Sequence, residues 1–338
     1  MTLTQTAVLT KRILLSIAIL AVIGISAWLS LSFYITHYYL PQKRAEDEKP
    51  QVKYGILPKP LFPTSAISSS NYSYSIDTET GALPTGLPKT LKVYFNPQLG
   101  TSLLAANRAR ELASNLKFSS GPDLINPTSY KFSDGLTGSL VIDINSGNFS
   151  FKKKPNLNPQ ESKQEVLEDE DALESKFKEF LNRNQLLRPG LNKGKMKVVY
   201  EKFLRKESTT AAVTIWPEDI EKLPVVTPTS DEGLIKGILS KEHGENPYIE
   251  FRFIYWQPDI QNFSTYPIKD AQTALADLKG GKAVILQEPK QTKVSISSIF
   301  LAYFEPLEYV QYIQPIYVLQ GEGFLAYVPA VTDQYLEK

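Results

Sequence analysis

The fold class of this chain is decided by three stretches near its C-terminus: YPIKDAQTALADLKGGK (266–282), VSISSIFLAYF (294–304) and YIQPIYVLQGEGFLAYVPAV (312–331). In the first stretch the apolar residues recur at helical spacing, which predicts a helix over Ile268 to Lys279. The other two have the pattern of strands, with a phase shift at Ser297-Ser298 that predicts a bulge and with Gly321-Glu322-Gly323 as a short turn. These stretches predict one helix packed against an antiparallel sheet.

The same order of helix followed by strands occurs about twice more toward the N-terminus. A first helix is predicted from about Ser102, and a hairpin with a turn at Ser146-Gly147 follows it. A second helix is predicted from Asn158 as N-cap, with Pro159 at its first position. Further strands are predicted over residues 72–76, 91–95, 197–204, 211–216, 234–239 and 248–256. We therefore predict an α+β fold made of modules in which a helix covers an antiparallel sheet.

An apolar run near the N-terminus, residues 13–35, carries no charged side chain and is long enough to span a bilayer. It predicts a transmembrane helix over residues 13–36, with aromatic residues at its far end. The alternative, a cleaved signal peptide, has a shorter apolar stretch. The short basic tail, residues 1–12, is expected on the cytoplasmic side, because a long C-terminal domain is translocated largely regardless of flanking charge. We expect a single-pass protein of the cell membrane with its C-terminal bulk outside the cytoplasm.

The chain outside the membrane is predicted to comprise a stalk and two folded regions. Prolines interleaved with serine and threonine predict an extended stalk over residues 37–70. A first α+β module is expected over residues 71–155. A second α+β region is expected over residues 156–338, with a sub-boundary near residue 266.

The composition excludes several classes of function. Lys and Arg number 37 against 36 Asp and Glu, so the chain lacks the basic excess of a nucleic-acid-binding protein. It has no Cys, which excludes disulfides, thiolate zinc sites and a cysteine nucleophile. Two His leave little room for histidine-dependent catalysis or metal chemistry.

No catalytic, cofactor-binding or metal site is predicted from the motifs. Several patterns resemble parts of known sites but lack the accompanying residues: His37, His243, Ser150 with Lys153, Ser175 with Lys178, and the stretch Gly280-Gly281-Lys282-Ala283. The acidic run from Glu165 to Glu174 is interpreted as the start of the second helix, where acids favour the helix dipole. The aromatic run YIEFRFIYWQP (248–258) is interpreted as sheet core; sugar stacking is the alternative.

The C-terminal third, approximately residues 220–332, resembles the YycH/YycI family and its PepSY-like relatives. The resemblance lies in the Pro-led helix, the strand ending in Leu-x-Tyr, and the hairpin that starts Gln-Pro and returns as Ala-Tyr-Val-Pro. It implies a membrane-anchored extracytoplasmic protein that binds a sensor histidine kinase and adjusts its signalling without catalysing a reaction. The resemblance supplies no catalytic residues.

Three functional hypotheses follow. The leading one is a membrane-anchored extracytoplasmic binding or regulatory protein, not an enzyme, whose partner is a sensor kinase or another membrane or envelope component. The second is an extracytoplasmic hydrolase that acts on cell-envelope polymers through Asp or Glu, which requires two carboxyl groups across a cleft. The third is a structural spacer.

Overall fold

The computed structural model describes residues 24–33, 49–65, 67–98, 100, 102–154, 166–229, 231–241 and 247–338. Residues 24–33 lie within the predicted transmembrane segment and form exposed helix. The rest of that segment and the predicted tail, residues 1–12, lie outside the described residues. In the parts of the chain that the structure describes, no helix has both the length and the apolar character needed to cross a membrane.

Residues Val52–Lys338 form one compact unit. Its α-helices are α1 (Ala105–Asn115), α2 (Glu170–Arg183) and α3 (Ala271–Lys279). Its strands are β1 (Ser73–Ile76), β2 (Thr90–Phe95), β3 (Ser120–Asn126), β4 (Ser129–Ser133), β5 (Ser139–Asp143), β6 (Phe149–Lys152), β7 (Met196–Tyr200), β8 (Thr210–Ile215), β9 (Val225–Val226), β10 (Ile235–Ser240), β11 (Tyr248–Phe253), β12 (Asp259–Pro267), β13 (Val284–Gln287), β14 (Lys293–Phe304), β15 (Tyr312–Gly321) and β16 (Phe324–Pro329).

The strands form two eight-stranded sheets. The first, here called the discontinuous sheet, has the order β1-β14-β15-β16-β13, with β2 joining β12 to β15 and with β9 beside β14. The second, here called the inserted sheet, has the order β3-β4-β5-β6-β11-β10-β8-β7 and is antiparallel throughout. In the discontinuous sheet β1 and β9 run parallel to β14. The chain thus begins the discontinuous sheet, builds the inserted sheet, and returns to complete the discontinuous sheet. Strand β9, between β8 and β10 in the sequence, is the exception, because it pairs with β14 of the discontinuous sheet.

Amphipathic helices supply the apolar faces that close the two cores. Helix α2 buries Phe177 and Phe180, whose rings pack against Phe251 and Tyr248 of the inserted sheet. Helix α3 packs on β16 of the discontinuous sheet and buries Leu278 completely. Because each helix has one apolar face, covering a sheet face is how it removes that surface from water.

The α+β class is confirmed, and so are the elements whose signals are local. The predicted hairpin is formed by β5 and β6, and its turn contains Gly147 with a positive φ of 72°. The predicted bulge is present as a register shift between Ile296 and Ser298, where β14 pairs with β15. The predicted turn joins β15 to β16, with Gly321 paired to Phe324.

The start of the second helix was predicted wrongly. Asn158 lies outside the described residues, but residues 166–169 are not helical and α2 begins at Glu170. Its N-cap is Asp169, whose side chain accepts a hydrogen bond from the Ala172 backbone N–H at 3.0 Å. A carboxylate at this position satisfies a free N–H group of the first turn, which fixes the start of the helix there.

The division into successive modules also differs from the structure. Strands β1 and β2, from the predicted first module, pair with β14, β12 and β15 near the C-terminus. Strand β6, from the same predicted module, pairs with β11 of the predicted second region. The predicted stalk, residues 37–70, is partly folded: the Val52 N–H donates to the Thr265 carbonyl, and Leu57 is fully buried beside Leu336. Backbone pairing over long sequence distances therefore sets the boundaries.

Candidate functional site

The two sheets are joined by residues 254–258, here called the crossover segment. The chain leaves the inserted sheet after Phe253 and enters the discontinuous sheet at Asp259. Two side chains of the segment are held by hydrogen bonds to backbone carbonyls: the Tyr255 hydroxyl donates to Pro189 at 2.6 Å, and the Trp256 indole N–H donates to Pro306 at 2.9 Å. The crossover segment is therefore fixed in position and forms a wall shared by two clefts.

The first cleft has a volume of about 920 Å³ and is lined by the crossover segment, the β5–β6 turn, Arg188 and loops at 96–98 and 307–309. Trp256 forms one aromatic wall together with Tyr309, and their ring centroids are 5.7 Å apart at 74°. The β5–β6 turn is held by Asp143, whose Oδ1 accepts hydrogen bonds from the Ser146 N–H and hydroxyl, each at 2.8 Å. The volume lies within the range of small-molecule and cofactor sites, about 300 to 1,000 Å³.

Two donor groups in the first cleft have hydrogen-bonding capacity that the described residues leave unused. Asn148 is 7% exposed; its Oδ1 accepts from the Tyr255 N–H at 3.1 Å, while its Nδ2 has no partner among the described residues. Arg188 lies over the Phe253 ring at 5.2 Å, and its Nη1 and Nη2 donate long hydrogen bonds to the Ser146 carbonyl, each at 3.5 Å. In the described ranges no carboxylate forms a salt bridge with it, and burial lowers the pKa of its guanidinium. Buried donors without acceptors are costly, which marks this corner as suited to an external acceptor.

The second cleft lies on the crossover segment as well and has a volume of about 550 Å³. Tyr94, Trp256 and Phe263 contribute aromatic surface to its lining. Lys92 lies over the Phe263 ring at 4.3 Å and forms a salt bridge with Glu221. Both clefts share Tyr255, Trp256, Gln257, Pro258 and Ile260.

Glu305 is a buried carboxyl group in the lining of the second cleft. It is 3% exposed, and its Oε1 accepts a hydrogen bond from the Trp256 backbone N–H at 3.2 Å. Its Oε2 has no partner among the described residues. Burial raises the pKa of Glu305 from 4.5 to about 8, and the hydrogen bond from Trp256 opposes this only in part. The group is therefore protonated at neutral pH.

The patterns singled out in the sequence do not form a site. Both His37 and His243 lie outside the described residues. The Ser175 hydroxyl donates to the Asp171 carbonyl within α2, and Lys282 forms salt bridges with Asp277 and Asp333. Within the described ranges no group of three His, Cys, Asp or Glu residues is arranged to hold a metal ion.

The aromatic run 248–258 is split between core and site. Phe251 and Phe253 are fully buried and stack with Phe149, so the core interpretation is confirmed for them. It is wrong for Trp256, which leaves the sheet and lines both clefts. The Pro two residues after Trp256 indicated that the strand ends, but nothing local indicated a cleft.

Comparisons with known proteins complete the description. No protein-family model matches the chain, and no curated protein matches its sequence. Among solved structures, an uncharacterized protein from Eubacterium rectale aligns with 75% of this chain and 87% of its own, at 10% identity and a TM-score of 0.31. The Bacillus megaterium YpeB C-terminal domain aligns with 70% of this chain and 95% of its own, at 13% identity and a TM-score of 0.29. The resemblance of residues 220–332 to the YycH/YycI family stays a prediction.

Proposed function

We propose that this chain is a membrane-anchored extracytoplasmic binding protein that recognises a segment of another membrane or envelope protein in the first cleft. The observation that supports it is a pair of donors beside the aromatic wall of Trp256: Asn148 Nδ2 has no partner among the described residues, and the Arg188 guanidinium has only the long contacts with the Ser146 carbonyl there. A polypeptide segment offers carbonyl and carboxylate acceptors for these donors, and apolar side chains for the wall. Binding would regulate the partner, and a sensor kinase is the candidate that the family resemblance suggests.

The arrangement of the donors favours recognition of a fixed ligand geometry. Asn148 is held by its hydrogen bond with the Tyr255 backbone, and Arg188 is held over the Phe253 ring. Little side-chain freedom then remains to be lost when a partner binds, which raises affinity at a given contact area. The proposal requires no reaction in the cleft.

The location is proposed on the sequence alone. The apolar run 13–35 and the basic residues Lys11 and Arg12 support a single membrane anchor with the C-terminal unit outside the cytoplasm.

The test is partner capture from intact cells. A tag is placed after Lys338, cells are crosslinked, and membrane proteins that copurify with the full-length chain are compared with those captured by Arg188→Met. The variant keeps an unbranched apolar side chain over Phe253 and removes the donor, so we expect at least about a tenfold loss of capture, because a hydrogen bond to a charged group contributes about 1.5–3 kcal/mol.

The matched control is Arg110→Met, which removes an exposed arginine of α1 that contacts Asn107. Capture should be unchanged in this variant. Capture by Arg188→Met equal to that of the parent protein, at an unchanged melting temperature, would contradict the proposed site.

A second candidate function, a carboxylate-dependent hydrolase, is favoured by one observation. Glu305 is protonated at neutral pH beside a cleft, as a general acid must be, and Glu218 lines the same cleft. Turnover of cell-wall polymers by the purified full-length protein, abolished in Glu305→Gln, would support this alternative. No turnover in either protein would exclude it for these substrates.

A further inference from the structure

The second cleft carries more negative than positive charge. Its lining includes the carboxyl groups of Glu218, Asp219, Glu221 and Glu305 against one cation, Lys92. Lys92 is already engaged by Glu221, and Glu218 accepts a hydrogen bond from the Lys193 N–H at 2.9 Å. The lining is therefore complementary to a cation, and an acidic lining alone would not show that one binds.

Glu305 provides the independent observation. Its side chain is almost completely buried, and its Oε2 has no hydrogen-bond partner among the described residues, although its Oε1 is held by Trp256. The described part of the protein thus supplies no partner for this buried carboxyl oxygen in the lining of a cavity, and once the group ionises the oxygen is a free acceptor. Tyr94 and Trp256 also line the cleft, and aromatic rings attract a cation through their quadrupoles, as the Phe263 ring does with Lys92 at 4.3 Å.

We propose that the second cleft binds the guanidinium group of an arginine side chain of the partner protein, with Glu305 as its acceptor. This inference rests on the proposed function, because it names a second contact of the same partner. Arginine fits better than lysine, since a planar guanidinium donates in several directions in one plane and stacks on aromatic faces. One segment can occupy both clefts, because both open on the crossover segment.

Binding is coupled to release of a proton. In the free protein the Glu305 carboxyl holds its proton, and the arriving cation stabilises the carboxylate, so the O–H bond breaks and the proton passes to water. The charged and titratable groups that line the two clefts besides Glu305 are Lys92, Tyr94, Asp143, Arg188, Glu218, Asp219, Glu221, Tyr255, Asp259, Glu308 and Tyr309. If only the ionised form binds, affinity falls about tenfold for each pH unit below about 8.

The experiment is calorimetric titration of the full-length protein in detergent with N-acetyl-arginine amide. N-acetyl-citrulline amide serves as the neutral isostere, and N-acetyl-lysine amide as the compact cation. We expect arginine to bind at least tenfold more tightly than citrulline, with lysine between them. Titrations at pH 7 in two buffers of different ionisation enthalpy should show release of nearly one proton per arginine bound.

Glu305→Gln is the test variant, because glutamine keeps the acceptor for the Trp256 N–H and cannot ionise. It should bind arginine no better than citrulline, and its affinity should not change between pH 6 and pH 8. Glu322→Gln, in the exposed β15–β16 turn, is the matched control and should bind as the parent protein does.

Equal binding of citrulline and arginine, or an unchanged affinity in Glu305→Gln, would overturn the inference. Agmatine bound at least tenfold more tightly than the arginine amide would assign the cleft to a free small cation and overturn the partner assignment. If partner capture depends on Arg188 but no arginine binding is found, the proposed function is supported and the arginine site is contradicted. If arginine binds but capture does not depend on Arg188, the proposed function is contradicted.

Discussion

Replacing Glu305 by glutamine should change how the stability of the protein depends on pH. The carboxyl group is buried, and its pKa is raised from 4.5 in the unfolded chain to about 8 in the folded chain. Between these values the folded state binds more protons than the unfolded state, so the stabilisation is complete below about pH 4.5 and is lost as the pH rises through about 8. Glutamine removes this dependence.

The size of the effect follows from the two pKa values. At about 1.4 kcal/mol per pH unit, the interval from 4.5 to about 8 corresponds to about 5 kcal/mol, of which about 4 kcal/mol falls between pH 5 and pH 9. Glutamine leaves buried amide N–H groups in place of the carboxyl O–H, which costs about 1–3 kcal/mol at every pH. That cost is independent of pH and cancels when the two proteins are compared at two pH values.

The assay is urea unfolding of the parent protein and Glu305→Gln at pH 5, 7 and 9, monitored by circular dichroism. The difference in free energy of unfolding should shift by about 4 kcal/mol in favour of the variant between pH 5 and pH 9. Other titrating groups are shared by both proteins and do not enter the difference. A difference that is constant over this range would refute the assignment of a raised pKa to Glu305.

Two further predictions concern the cores. Phe251→Ala should lower the free energy of unfolding by about 3–5 kcal/mol in urea unfolding, because this ring is fully buried against α2; Phe203→Ala, on a fully exposed ring, should change it by less than about 0.5 kcal/mol. Lys269→Met should lower the free energy of unfolding by about 3–5 kcal/mol, because the buried carboxylate of Asp277 loses its buried salt-bridge partner. Lys282→Met, which removes an exposed charge beside the same carboxylate, should lower it by about 1 kcal/mol or less. A free energy of unfolding that is unchanged in Phe251→Ala would contradict the role of this ring in the core. Equal effects of the two lysine substitutions would contradict the distinction between the buried and the exposed salt bridge.

Local signals in the sequence were sufficient for many of the helices and strands but not for the pairing of the strands. The β5–β6 hairpin was predictable because alternation and the turn residues Ser146 and Gly147 lie within one short stretch. The pairing of β1 with β14 was not, because Ser73 and Lys293 lie on opposite sides of the inserted sheet in the sequence. Strand β3 was missed since it is almost entirely exposed and lacks an alternating apolar pattern.

The site was predictable only in part, because contacts between residues distant in the sequence form it. Trp256 stood out as an aromatic residue, but its position in an unbroken β-like run favoured the core. Glu305 follows the apolar strand β14, and its sequence neighbours do not reveal that Val226 and Trp256 enclose it. Burial of a carboxyl group arises from tertiary contacts, so its raised pKa could not be inferred from sequence.

The insertion of one sheet within the other has a consequence for biosynthesis. All strands of the inserted sheet lie between Ser120 and Phe253, and its core draws only on residues from Ala105 to Tyr255. Strands β1 and β2 emerge first, but their pairing partners begin at Asp259. The early strands therefore have unpaired edges while the middle of the chain is synthesised.

Pairing between strands that lie so far apart in the sequence slows folding and exposes the unfinished sheet to aggregation or proteolysis. Chains that end at residue 256 and have been released from the ribosome should show a protease-resistant segment over 120–253 and cleavage within 73–95. Protection of both segments in these chains would argue against this order. Strands β12 and β14–β16, which are synthesised after the inserted sheet, thus complete the sheet that β1 and β2 begin.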